Sequence, residues 1–195
     1  KLKPNFAEAY FNLGVAYVQT GDRQRARDLF SRCLSIDPVH GKAHMSMAGL
    51  FEQEGNTDAA KRHLVEYLRG KPGDAAARTY LGELYFQAGL FQSAVPEYQR
   101  ALREEPRNSR AAYRLGVIYH NGNQLDNAMF YYNKVLALDA NHAETLTNMG
   151  SIAFTKRNYR QAYNYYERAV GLDSSNVVAR EQLIKIKALV SQQTP

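Results

Sequence analysis

Apolar residues return along this chain at the spacing of a helix that is wet on one side. Tyr10, Leu13, Gly14 and Tyr17 stand at i, i+3, i+4 and i+7, and Ala26, Leu29, Phe30 and Cys33 repeat that spacing after a break at Gly21-Asp22. Such a stripe is the buried side of an amphipathic helix, and Gly accepts the left-handed conformation that closes a helix and turns the chain. The opening segment therefore predicts two antiparallel helices. The same pattern then recurs. Aligning the segments that begin at Ala7, Gly41, Ala75, Ser109 and Ala143 brings Leu13, Met47, Leu81, Leu115 and Met149 into one column, with Gly14, Ala48, Gly82, Gly116 and Gly150 beside it. In frame behind them come Tyr17, Phe51, Tyr85 and Tyr119, then Ala26, Ala60, Ala94, Ala128 and Ala162. Phe30, Leu64, Tyr98, Tyr132 and Tyr166 follow, and then Pro38, Pro72 and Pro106. The period is 34 residues, and each Pro separates a second helix from the next first helix because it cannot continue one.

These columns resemble the tetratricopeptide repeat family, whose pattern over 34 residues combines a bulky residue, Leu-Gly, an aromatic, Ala, an aromatic and Pro. The resemblance covers Ala7 to Asn176 as five units, 7–40, 41–74, 75–108, 109–142 and 143–176. Residues 1–6 read as the tail of a preceding unit, since Lys1-Leu2-Lys3-Pro4-Asn5 aligns with Ser35-Ile36-Asp37-Pro38-Val39. The chain starts at Lys1 without Met and reads as an excised fragment with further repeats upstream. Residues 177–195 are expected to form a C-terminal capping helix on Val178, Leu183, Ile186 and Val190, with Gln193-Thr194-Pro195 frayed. The resemblance implies an all-α fold, a right-handed α-solenoid of five helix-turn-helix repeats plus that helix. Hairpins this short cannot bury an apolar face alone, so they stack. The small residue after Leu leaves room where the two helices cross, and the aromatics fill the wedge between units. Ala140 and Ser174 stand where Pro is usual, which predicts more helical junctions there, and Ala153 replaces the first-helix aromatic of the fifth unit, with Phe154 after it. In the last helix Ile184 and Leu189 widen the apolar arc. That arc reads either as a wide buried stripe or as contact with a further segment or a second copy.

Composition narrows the function. With 45% hydrophobic and 23% charged residues the chain has the makings of a core. One cysteine, Cys33, closes no intrachain disulfide and builds no zinc cluster. It falls in a packing column, so burial is its expected state, and a lone thiol is the usage of a reducing compartment such as the cytoplasm. No apolar run reaches the roughly 18–20 residues that span a bilayer. The net charge of +6 raises nucleic acid as a partner. However, the excess sits at the chain ends and in the last two units rather than in one stripe, which argues against it. No Gly-rich phosphate loop, nucleophile elbow or His-Glu-x-x-His is present, and His40 and His44 lack a third ligand. No catalytic residue, metal or cofactor is expected, and the chain reads as a non-enzyme.

In the family, function lies on the concave face lined by the first helices. The flanks of the buried stripe offer Phe11, Asn12 and Val15 in the first unit; Lys42, Met45, Ser46 and Gln53 in the second; and Thr79, Tyr80, Glu83 and Gln87 in the third. The fourth offers Arg110, Tyr113, Arg114 and Val117, and the fifth Thr147, Asn148 and Ser151. Arg110 and Arg114 lie i, i+4 on one face beside Tyr80 and Tyr113, an arrangement able to fork a carboxylate. Alternatively Glu83 bridges the pair. The candidate groove residues are therefore Asn12, Tyr80, Glu83, Arg110, Tyr113, Arg114 and Asn148. Chaperone-binding members of the family hold a carboxylate with a Lys/Asn/Asn/Lys/Arg clamp. Only Arg110 and Arg114 match it, with Met45, Gly49 and Tyr80 at the other places. The arm of O-linked N-acetylglucosamine transferase carries an Asn in every unit at the place of Asn12. Asn148 matches, and Ser46, Tyr80 and Arg114 do not. The expected function is binding of a protein or peptide segment, one with acidic residues, in that groove. The alternatives are a scaffold that self-associates through its terminal helix and edges, or the targeting arm of a larger enzyme such as a glycosyltransferase.

Overall fold

Each amphipathic stripe becomes a helix. The computed structural model describes residues 4–191, as α1 (Pro4–Gln19), α2 (Arg23–Ile36), α3 (Gly41–Gln53), α4 (Thr57–Gly70), α5 (Ala75–Gln87), α6 (Phe91–Glu104), α7 (Ser109–Asn121), α8 (Leu125–Leu138), α9 (Ala143–Thr155), α10 (Tyr159–Leu172) and α11 (Val177–Ser191). The register expected of Lys1, Leu2 and Lys3, the frayed Gln193-Thr194-Pro195 end, and the side chains of Pro4, Asn5 and Val190 lie outside the described residues. The chain forms two compact units, Lys1–Glu104 with α1–α6 and Glu105–Pro195 with α7–α11. Within them consecutive helices pack as the hairpins α1/α2, α3/α4, α5/α6, α7/α8 and α9/α10, and α11 lies on α10.

The helix starts are set by side chains that accept the orphan backbone N–H groups of the first turn. Asp22, Asn56, Asp74, Asn108 and Asn158 do so through oxygen, and His40 and His142 through Nδ1. The turn inside each hairpin needs one left-handed residue. Gly21, Gly55 and Gly89 supply it at φ 82°, 75° and 72°, while Asn123 and Arg157 take the same place in the second unit at φ 56° and 59°. A Cβ in that region costs roughly 1–2 kcal/mol, so Arg157 holds a strained turn.

The junctions at Ala140 and Ser174 are not more helical than the rest. α8 ends at Leu138 and α9 begins at Ala143, and α10 ends at Leu172 before α11 begins at Val177. An aspartate holds the turn without Pro: Asp139 Oδ1 accepts from the N–H of Asn141, and Asp173 Oδ1 from that of Ser175, both at 2.9 Å, as Asp37 Oδ1 does from Val39 at the Pro38 junction.

The second-helix ring lies directly on the first-helix glycine. A Cβ on Gly14 would stand 2.6 Å from the Phe30 ring, one on Gly82 2.7 Å from Tyr98 and one on Gly150 2.8 Å from Tyr166. Those rings are fully buried, so no side chain fits at the crossing.

Two expected stripes are corrected. Leu13 is 49% exposed, whereas Met47, Leu81, Leu115 and Met149 are buried. Ala9, Leu13 and Ala16 stand 34 residues before Ala43, Met47 and Leu50, which pack into the core with Phe30 and Cys33 of the preceding α2. Against α1 no preceding helix is described. In α11 the buried positions are Ala179 and Ile186, with Leu183 packed beside them. Val178 is exposed, and Ile184, at 70%, is outside any buried stripe. Ile184 falls in the glycine column, on the side of the helix that in α1 receives the Phe30 ring.

Gly49 lies inside α3 with nothing near its missing Cβ. Gly49→Ala should therefore raise stability by about 0.5–1 kcal/mol, while Gly82→Ala, forced against Tyr98, should lower it by about 1–3 kcal/mol. Urea unfolding of the two variants reads both signs. Arg157→Gly should stabilise by roughly 1 kcal/mol by relieving its turn, measured in the same way.

Candidate functional site

The start of α7 and the start of α9 enclose an open recess of 550 Å³, lined by Ser109, Arg110, Tyr113, Arg114, His142 and Glu144. The helical spacing puts Arg110, Tyr113 and Arg114 on one side of α7. His142, as the cap of α9, is turned toward them, and its ring packs against Tyr113 with centroids 5.2 Å apart.

Hydrogen bonding fixes what each group can offer. His142 Nδ1 accepts from the Thr145 N–H at 3.3 Å, which leaves the proton of the neutral ring on Nε2. Asn148 Nδ2 donates to the Tyr113 hydroxyl at 3.4 Å, and that hydroxyl donates to Glu144. Burial, with the Glu144 charge beside it, pushes the Tyr113 phenol up to about 12. Beneath the recess lies the fully buried Tyr132 hydroxyl, which faces Asn148 without completing a hydrogen bond to it. The recess thus presents two guanidinium groups and one carboxylate.

The first unit carries the same arrangement with the charges exchanged. Phe11 packs on His40 at 5.1 Å, as Tyr113 does on His142. There, however, Glu8 occupies the place of Arg110 and accepts from His40 Nε2 at 2.9 Å, with Lys42 3.6 Å away in the place of Glu144. The contact with His40 holds the Glu8 carboxyl below its usual range. In the second unit the equivalent residue is a cation, which cannot accept a proton from His142.

Four of the seven expected residues, Arg110, Tyr113, Arg114 and Asn148, come together here. The others lie in the first unit. Asn12 is exposed on α1, the Tyr80 hydroxyl on α5 donates to Glu52 Oε2 at 2.5 Å, and Glu83 is only 9% exposed. Phe11, Thr79 and Thr147 are buried rather than groove-lining, and both threonine hydroxyls donate back to the carbonyl four residues earlier. Sequence reasoning missed Ser109, His142 and Glu144. For His142 the signal was the capping residue that also stands ahead of α3, α5 and α7.

Among the described residues no group of three or more His, Cys, Asp or Glu side chains could hold a metal, and no helix is long and apolar enough to cross a membrane. Cys33 is buried, which pushes its thiol up to about 11.

Tetratricopeptide repeat models match residues 7–38, 46–102, 85–143 and 143–176. The chain belongs to the tetratricopeptide repeat family. It is an α-solenoid of helix-turn-helix repeats and a protein–protein interaction module. No curated protein matches the sequence. Among solved structures, YrrB, a tetratricopeptide repeat protein with an unusual peptide-binding site, has a similar fold, with a TM-score of 0.78 and 20% identity over 88% of this chain and 89% of that one. MamA from Desulfovibrio magneticus RS-1 gives 0.74 and 18% over 88% and 97%. The Pseudomonas aeruginosa pilF product gives 0.73 and 22% over 97% and 86%.

The ring of Tyr113 and its hydroxyl have separable tasks. Tyr113→Phe should change stability by less than about 1 kcal/mol, whereas Tyr113→Ala, which empties the space against His142 and Tyr132, should cost about 2 kcal/mol. Denaturant midpoints of the two variants check this.

Proposed function

We propose that the chain binds a segment of a partner protein along the first-helix face of its repeats, and that the α7–α9 recess takes an acidic side chain of that segment. The observation that carries this reading is the exchange of Glu8 for Arg110. In the first unit the chain itself supplies the carboxylate that accepts from His40. At the matching place in the second unit stands a guanidinium, and a ligand carboxylate would complete the set by accepting from His142 Nε2 and from the Arg110 and Arg114 forks. Asn148, bonded to the Tyr113 hydroxyl, lies beneath as a polar group able to meet a peptide backbone. Asn12 and Tyr80 are assigned to the first-helix face in the first unit, and Glu83, buried like Thr79, is left out of it. That the same architecture carries a peptide-binding site in YrrB agrees with this. Catalysis has no part in the proposal.

A displayed random-peptide library selected on the full chain tests it. Peptides rich in Asp or Glu should emerge, and their binding should fall at least tenfold with Arg110→Glu/Arg114→Glu while helicity is unchanged. Recovery of the same sequences by the variant would refute the assignment. A second reading, self-assembly through the terminal helix, is favoured by the exposed Val177, Val178 and Ile184 of α11. Under it, light scattering should grow with concentration for the wild type and stay flat for Ile184→Asp.

A further inference from the structure

One first-helix position and the second-helix position 19 residues later carry Tyr10/Leu29, His44/His63, Arg78/Glu97, Ala112/Tyr131 and Leu146/Tyr165 in the five hairpins. Two of these pairs are polar and share one geometry. In α5/α6, Arg78 bonds Glu97 at 2.7 Å while its Nε donates to the Pro72 carbonyl at 2.8 Å. In α3/α4, His44 and His63 meet Nδ1 to Nδ1 at 2.9 Å while His44 Nε2 lies 3.0 Å from the Pro38 carbonyl. Between pH 7.5 and 5 an arginine–carboxylate pair has no proton to gain on ordinary side-chain values, but an imidazole pair has.

The bond to Pro38 places the His44 proton on Nε2, so its Nδ1 accepts and His63 Nδ1 carries the N–H. One proton therefore occupies the line between the rings. A second proton on His44 Nδ1 would set two N–H groups head to head. On the far nitrogen of His63 it would charge a half-buried ring that stacks on Phe51 at 5.5 Å. Among the surrounding charges Arg62 of α4 opposes that cation, while Glu66 of α4, itself paired with Arg69, favours it more weakly. Arg27 of α2 lies over the Phe51 ring and is paired with Glu54 of α3. His40, in the turn before α3, is bonded to Glu8 of α1.

We propose that the His44–His63 contact is an acid-sensitive latch, which holds the α3/α4 hairpin closed at neutral pH and lets it open in mildly acidic solution. Opening would also release Tyr80 of α5, whose hydroxyl is held by Glu52 of α3. Burial, with His44 beside it, lowers His63 from the ordinary 6.5 to about 4. A depressed imidazole contributes its full stability above the unfolded value and loses it as pH falls from there toward 4. The ratio of closed to open hairpin should accordingly drop roughly thirtyfold between pH 7.5 and 5.

Hydrogen–deuterium exchange of the full chain at both pH values, corrected for intrinsic rates, reads this directly. In the wild type, amides of α3 and α4 should lose about thirtyfold more protection than those of α5 and α6. The double variant His44→Arg/His63→Glu, which installs the α5/α6 pair at the same positions, should abolish the difference. Equal responses of the two hairpins in the wild type, or acid sensitivity that survives in the variant, would overturn the latch. Should the variant misfold, nitrogen-15 NMR titration of the wild-type histidines decides. The latch requires His63 to stay neutral until α3 and α4 open, and a closed hairpin with His63 titrating near 6.5 contradicts it.

Discussion

The contact on which these hairpins depend is an aromatic ring lying on a bare stretch of helix backbone. Phe30, Tyr98 and Tyr166 occupy the volume that a Cβ on Gly14, Gly82 or Gly150 would need, and each ring is fully buried. That approach brings first and second helix close enough for dispersion contacts over the whole ring face. It also decides which neighbours of the glycine are covered and which flank it. Where the ring is a tyrosine its hydroxyl is carried through the crossing, and in α7/α8 this delivers the Tyr132 hydroxyl beneath the recess.

Much of this was legible in the residues because steric requirements repeat every 34 positions. Glycine, ring and small-residue columns announce themselves when five copies agree. What escaped is what varies between copies or acts across the hairpin. His63 is remote from His44 in sequence, and the two meet only once the helix crossing is known. The column of Phe11, Thr79 and Thr147 flanks the stripe on a helical wheel yet is buried, because the neighbouring helices cover a wider arc than the stripe itself. Asp139 and Asp173 turn the chain through their own side chains, a device that Pro makes easy to overlook. Arg157 sits left-handed because the turn dictates the conformation and tolerates the residue. Leu13 carries the right identity for its column but has no described helix in front of it.

Of the candidate site, the arginine pair and Tyr113 followed from i, i+4 spacing, while His142 and Glu144 belong to the next hairpin and join them only in three dimensions. A shared scaffold serves unrelated partners, so the fold does not select among them. On the proposed reading, selection lies in substitutions such as Arg110 for Glu8, which replace an internal carboxylate–imidazole contact with a place for a ligand carboxylate. The latch and the recess lie in different units and rest on different groups, so each stands without the other.

The most direct test of the central claim, that the α7–α9 recess is the recognition site, is an exchange footprint of the full chain with a selected acidic peptide bound. The account predicts protection concentrated at the starts of α7 and α9, around Arg110 to Arg114 and His142 to Asn148. Protection confined to α8, α10 or α11 would contradict it.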